Sequence, residues 1–72
     1  MDKWEYLCID YAVRRIQHVE SPDKELNELL SHKFIYEAIS IAGSQGWELV
    51  SAMPNKEDPY KWGMFIFKRQ IK

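Results

Sequence analysis

The stretch G-S-Q-G-W-E-L-V-S-A-M-P, residues 43–54, decides how this chain folds. Gly46 stands where a preceding helix has to stop, because glycine adopts the left-handed conformation at a helix C-terminus without a Cβ penalty. If Gly46 is the first residue beyond the helix, Trp47 is the second, and we expect it to fold back onto Ala42 or Ile41. The stretch therefore predicts a helix that runs directly into a strand.

Two segments upstream of Gly46 have helical patterns. Ser21, Pro22 and Asp23 form a helix start, with a capping hydroxyl, a proline at the first helical position and an acid in the first turn. Leu26, Leu29 and Leu30 follow as an apolar stripe. The second segment covers 33–44, and its Gly43 is expected to let a large ring or another backbone approach closely.

The apolar faces of these two segments do not match in phase. At about 100° per residue, one straight helix from Pro22 to Ser44 would place the three leucines on the polar side of the second segment. Either the chain breaks near Ser31-His32, with Ser31 as a second N-cap, or a continuous helix shows a second apolar stripe to a partner. We favour the break.

Three strands complete the pattern. The first runs from about Trp4 to Val13, the second over 47–53 and the third over 60–69, with a polar loop bounded by prolines at 54–59. The predicted fold is one α+β domain, residues 1–72. It has a three-stranded antiparallel-type sheet in β-α-β-β order, with one long or broken helix packed on one face.

The register of the last two strands follows if Met53 and Tyr60 close the hairpin. One face of the sheet, which includes Trp47, Leu49 and Trp62, is expected to contact the helix. The other face holds Val50, Ala52, Phe65 and Phe67, and it is unusually apolar for a sheet face exposed to solvent.

This second face predicts an interface. A chain of 72 residues has a marginal core, yet 46% of its residues are hydrophobic and 14% aromatic. We expect a homo-oligomer that is joined through Val50, Ala52, Phe65 and Phe67, and we favour a dimer. The stripe Leu26, Leu29 and Leu30 competes as a second contact surface. In the alternative interpretation, residues 14–32 fold over the sheet face within the same chain.

Charge and cysteine content narrow the class of protein. The net charge of −1 argues against a general nucleic-acid or membrane-surface role. Residues 1–55 carry five Lys/Arg against nine Asp/Glu, a net of −4, and residues 56–72 carry five against two, a net of +3. Cys8 is the only cysteine, which fits a reducing, cytoplasmic setting. We expect neither a signal peptide nor an apolar run long enough to span a membrane.

Three blocks of this sequence carry a resemblance to a known family. The first is Trp4-Glu5-Tyr6. The second is Gly43 together with the run Gly46-Trp47-Glu48-Leu49-Val50-Ser51, and the third is Phe67-Lys68-Arg69. Together they resemble a small family of bacterial and phage proteins known only as a domain of unknown function. The resemblance covers most of the chain except about 14–32, and it implies the β-α-β-β order but no activity. Ile39 and Ala42 stand where that family usually has leucines.

No catalytic, metal or cofactor motif is found, and we expect neither an enzyme nor a cofactor. Glu48 is better explained as one member of an exposed cross-strand pair with a lysine than as a catalytic general acid. His18, His32, Cys8 and Asp10 lack the spacing of metal ligands.

The expected function is binding. The chain is interpreted as a small cytoplasmic oligomer, a phage or prophage adaptor, inhibitor or ligand sequesterer with no membrane association. The alternative is a single-stranded nucleic-acid or nucleotide binder that uses Lys61, Phe65, Phe67 and Arg69 of the last strand.

Overall fold

Six elements make up the fold. The computed structural model describes residues 3–54 and 61–71. In chain order the elements are β1 (Trp4–Ala12), β2 (Arg15–Glu20), α1 (Lys24–Leu30), α2 (Ile35–Ser44), β3 (Glu48–Pro54) and β4 (Trp62–Gln70).

The sheet has four antiparallel strands in the order β2-β1-β4-β3, so the predicted three-stranded sheet is wrong. The missed strand is β2, whose residues R-I-Q-H-V-E do not alternate between apolar and polar. A register shift between Asp10 and Tyr11 explains why: Ile16 pairs with Tyr11, whereas Val19 pairs with Ile9. The irregularity lets both apolar residues of β2 serve the same side of the sheet, although they are three positions apart.

A two-residue turn joins β1 and β2. Val13 and Arg14 both have positive φ, at 51° and 67°. Tight hairpin turns of this kind favour Asn and Gly, because a β-branched residue in the left-handed region is strained. The turn is held at both ends: the Val13 N–H donates to the Lys61 carbonyl at 3.0 Å, and the Arg14 carbonyl accepts from Ile35 N–H at 2.8 Å.

The helical region is broken, as the phase of its apolar residues predicts. The first helix begins two residues later than predicted, at Lys24 instead of Pro22, because Asp23 caps it by accepting from the Leu26 N–H at 3.1 Å. Ser21 supports this cap, since its hydroxyl accepts from the Asp23 N–H at 3.1 Å. Ser31 ends α1 as its C-cap, and Phe34, not Ser31, is the N-cap of α2.

The end of α2 is a Schellman motif. The Trp47 N–H donates to the Ala42 carbonyl at 3.0 Å, and the Gly46 N–H donates to the Gly43 carbonyl at 3.1 Å. Gly46 has φ of 87°, and Trp47 is 4% exposed in the same buried cluster as Ala42. The predicted roles of Gly46 and Trp47 are therefore confirmed. The role predicted for Gly43 is wrong, because a Cβ added there would meet nothing within 4 Å.

The helices cover the face of the sheet that we expected to be open. Met53 pairs with Met64 instead of Tyr60, which lies outside the described residues together with most of the predicted loop. Phe67 is 2% exposed and Phe65 packs against the buried cluster, whereas Trp62 is 57% exposed. The physical reason is that both faces of β4 are apolar, so alternation along the strand does not say which one the helices cover.

The core lies between the sheet and the two helices. Its buried residues come from five of the six elements and from the residue before β3: Leu7, Ile9, Ile16, Leu26, Leu30, Ala38, Ala42, Trp47 and Phe67. The largest of the fully buried side chains are Phe67, Leu7, Ile9 and Leu30. So small a core makes further burial of apolar surface valuable for stability.

Candidate binding surface

The face of the sheet opposite the helices is here called the open face. Its membership follows from strand parity, because Leu7, Ile9 and Phe67 are buried and the alternate residues point the other way. The open face consists of Trp4, Tyr6, Cys8, Asp10 and Ala12 of β1, Trp62, Met64, Ile66, Lys68 and Gln70 of β4, Glu48, Ser51 and Met53 of β3, and His18 and Glu20 of β2.

The two central strands make the open face apolar and aromatic. Across β1 and β4, Cys8 pairs with Ile66 and Ala12 pairs with Trp62. Tyr6 and Trp62 are more than half exposed, and Met53 extends the apolar area onto β3. A shallow depression of about 350 Å³ lies beside Ala12, Trp62 and Met64. Contiguous apolar surface of this kind marks a contact site.

Charged groups surround this apolar centre. Glu20 and Glu48 lie on the edge strands β2 and β3, and the His18 Nε2 lies 2.9 Å from a Glu20 carboxylate oxygen. Within the central strands the open face has one acid, Asp10, and one base, Lys68, whose Nζ lies 4.2 Å from the centre of the Trp4 ring. The surface therefore has the layout of a protein contact, an apolar centre inside a polar rim.

The residues predicted to form the interface are placed elsewhere. Phe67 is in the core, Phe65 packs against it, and Ala52 pairs with Phe65 on the helix side. Val50 is exposed at a bulge of β3, because Leu49 pairs with Phe67 and Ser51 pairs with Ile66. The expected location of this apolar face is wrong, whereas the expectation that the chain self-associates stays a prediction.

The leucine stripe of α1 is divided. Leu26 and Leu30 are buried in the core, and only Leu29 is exposed. With β2 extending the sheet and α1 packed on it, residues 14–32 help to cover the Phe65 and Phe67 side within the same chain. The alternative interpretation placed this segment on the correct side, but it did not predict that α2 covers the same side and that the opposite face stays open.

The residues of the nucleic-acid alternative do not form one surface. Phe65 and Phe67 lie under the helices, Tyr11 stacks on Phe65 at 5.2 Å between ring centres, and Lys61 is exposed just before β4. The Arg69 side chain is bound by its neighbours in the fold. The aromatic rings available to a partner on the sheet are instead Tyr6, Trp62 and Trp4.

A cluster around Arg69 is the feature that the sequence did not predict. The Arg69 Nε donates to a Glu5 carboxylate oxygen at 2.7 Å, and its Nη1 donates to the Gln45 carbonyl at 3.2 Å. The guanidinium also lies over the Trp47 ring, 4.2 Å from its centre. This arrangement ties β1, β4 and the end of α2 together. The buried Trp47 Nε1 has no hydrogen-bond partner among the described residues.

The three sequence blocks that carry the family resemblance meet at this cluster. Glu5 belongs to the first block, Gly46 and Trp47 to the second and Arg69 to the third. Their contacts join β1, β4 and the end of α2 and so stabilise the fold. The Glu5–Arg69 contact could have been predicted from the sequence, because the W-E-Y and F-K-R blocks lie on paired strands and Glu5 and Arg69 are cross-strand partners.

Comparisons with protein-family models, with curated proteins and with solved structures find no match to this chain. Within residues 3–54 and 61–71, no three His, Cys, Asp or Glu side chains are grouped so that they could hold a metal ion. Over the same ranges, the helices are all too short or too polar to cross a membrane.

Proposed function

We propose that this chain is a small binding protein that works as a homodimer, with the open face of each copy packed against that of the other. It acts by binding rather than by catalysis, in the cytoplasm, and following the family resemblance it serves a phage or prophage. The observation that carries the proposal is the apolar centre of the open face, where Trp62 is largely exposed and Met64 and Ile66 are half-buried.

The size of the open face supports a second copy as its occupant. The two central strands have nine residues each, and the edge strands β2 and β3 have six and seven. With strands about 4.8 Å apart and about 3.4 Å per residue, the four strands give a footprint of at most about 19 by 30 Å. Side-chain relief adds to this area, which brings it near the roughly 800 Å² per partner of a standard interface. A two-fold dimer uses the same patch on both copies, so it would cover this surface completely.

Charge placement supports a particular two-fold arrangement. The Cys8–Ile66 pair lies midway along the strands between the Tyr6–Lys68 pair and the Asp10–Met64 pair. A two-fold axis that crosses the strands at the level of Cys8 reverses their direction in the second copy. Lys68 of each copy then lies near Asp10 of the other, which pairs the one base and the one acid of the central strands.

Light scattering during size-exclusion chromatography tests the proposal. The wild-type chain should have about twice its 8.6 kDa mass at tens of micromolar, and Trp62→Asp should have the mass of one chain. Leu29→Asp is the matched control, because Leu29 is an exposed apolar residue on α1 and outside the open face. A monomeric wild type, or equal dissociation by Leu29→Asp, would contradict the proposal. Circular dichroism confirms that both variants fold.

A charge exchange tests the two-fold arrangement itself. Asp10→Lys and Lys68→Asp should each weaken the dimer at low salt, because each places like charges near one another across the axis. The double variant should regain most of the wild-type affinity. If the two substitutions weaken the dimer additively in the double variant, this position of the two-fold axis is wrong. The open-face dimer itself is tested separately by Trp62→Asp.

A further inference from the structure

A second surface lies between the start of β2 and the link joining the two helices, and its lining residues are not part of the open face. It is a depression of about 300 Å³ lined by Arg15, Ile16, Ser31, His32, Lys33 and Phe34. Two lysine or arginine side chains and a histidine line it, and no carboxylate does. This is unusual in a segment of the chain, residues 1–55, whose net charge is −4.

The depression is held in place by the fold. Arg15 and Phe34 form an isolated antiparallel bridge, and the Arg15 guanidinium lies 5.2 Å from the centre of the Phe34 ring. The Arg14 carbonyl accepts from the Ile35 N–H, so the strained turn before β2 is fastened to the start of α2. The Ser31 hydroxyl already donates to the Glu28 carbonyl at 2.8 Å. Arg15, Lys33 and His32 are thus the side chains that can contact an anion.

An aromatic stack continues from the depression onto the helix. Phe34 and Tyr36 are stacked, with ring centres 5.9 Å apart and planes inclined by 3°. The Arg15 guanidinium, the Phe34 ring and the Tyr36 ring therefore form one stack. Tyr36 is its outer member and is 62% exposed to solvent. Exposed aromatic rings beside cationic groups stack nucleobases, whatever the base.

From this geometry we infer that the depression binds the phosphate of a nucleotide, with Arg15 and Lys33 on the phosphate and the base stacked on Tyr36. His32 lines the same depression and adds a third contact through a ring N–H. Arginine gives directional contacts to phosphate oxygens and lysine a point charge, so the pair suits a single phosphate group. The nucleotide is either a free mononucleotide or one unit of a single strand, since the two share this chemistry. The site is separate from the open face and does not depend on the proposed dimer.

Fluorescence anisotropy with a labelled oligothymidylate at low salt is the test. The wild-type chain should bind it, and Lys33→Glu should weaken binding at least tenfold. Lys24→Glu is the matched control, because it makes the same charge change at an exposed position outside the depression. Tyr36→Ala should weaken binding severalfold, and Tyr36→Phe should keep the wild-type affinity because the ring remains.

Unlabelled competitors distinguish the sources of the nucleotide. Displacement by thymidine monophosphate supports a free nucleotide, and displacement only by unlabelled oligothymidylate supports a strand. The inference is overturned if the wild type does not bind at low salt, if Lys24→Glu weakens binding as much as Lys33→Glu, or if inorganic phosphate competes as well as the mononucleotide. Measuring the variants' mass in parallel keeps this result apart from the dimer test.

Discussion

The two faces of the sheet are alike in composition and differ in what covers them. The helix side buries Leu7, Ile9 and Phe67, and the open face presents Tyr6, Trp62, Met64 and Ile66 in the same two central strands. A strand that is covered on one side usually has polar residues on the other. The comparison teaches that apolar content alone does not locate the core of this chain, and it is the reason for the proposal that a second copy covers the open face.

Truncation of a large ring on each face gives the largest expected contrast. Phe67→Ala should lower the free energy of unfolding by about 3 to 5 kcal/mol, because it leaves a cavity in the core. Trp62→Ala should lower the free energy of unfolding of the monomer by about 1 kcal/mol or less, since Trp62 is largely exposed. Urea unfolding at low protein concentration measures both. Equal losses would mean that the faces are wrongly assigned.

Two of the cation–aromatic contacts, Arg69 over Trp47 and Lys68 over Trp4, give effects of intermediate size on the two sides of the sheet. Arg69→Ala should reduce the free energy of unfolding by about 2 kcal/mol, because the partly buried Glu5 carboxylate loses its partner and the Gln45 carbonyl loses a donor. Lys68→Ala on the open face removes only a contact with the Trp4 ring, worth about 0.5 to 1 kcal/mol. Thermal unfolding at matched pH compares them, and a larger loss for Lys68→Ala would count against the role given to Arg69.

The smallest expected effects on the free energy of unfolding come from alanine substitutions at two glycines, and the two changes have opposite signs. A Cβ at Gly63 would overlap the Tyr11 ring that lies across β4, so Gly63→Ala should destabilise the chain by about 1 kcal/mol or slightly more. Gly43→Ala should stabilise it by about 0.5 to 1 kcal/mol, because alanine favours the helix and has open space around it. Thermal melts of the two variants check the signs; stabilisation by Gly63→Ala would refute the packing of Tyr11 against β4.

Local patterns predicted several elements correctly. Strand β1 was predicted to begin at Trp4, the helix break was predicted from the phase of the leucines, and the end of α2 was predicted from Gly46 and Trp47. Each of these depends on residues within a few positions of one another. Strand β2 was missed because its irregular pairing with β1 removes the alternation by which a strand is recognised.

The candidate surfaces were harder to predict than the elements. Parity correctly grouped Trp62, Met64 and Ile66 on one side of β4, and it could not say on which side the helices lie. The bulge at Val50 gave no sequence signal and moved Leu49 to the side of Phe67. The depression beside Arg15 joins two parts of the chain whose residues are 15 to 19 positions apart, so no local motif indicates it.

The sequence by itself determined the start of β1, the break between the two helices and the end of α2, because glycine conformations and side-chain periodicity act over one or two turns of chain. Only the tertiary structure decided which face of the sheet became the core and that Glu5, Trp47 and Arg69 meet. Those choices depend on how β2, α1 and α2 pack together on the sheet, which is a sum of many distant contacts that no single stretch of residues contains.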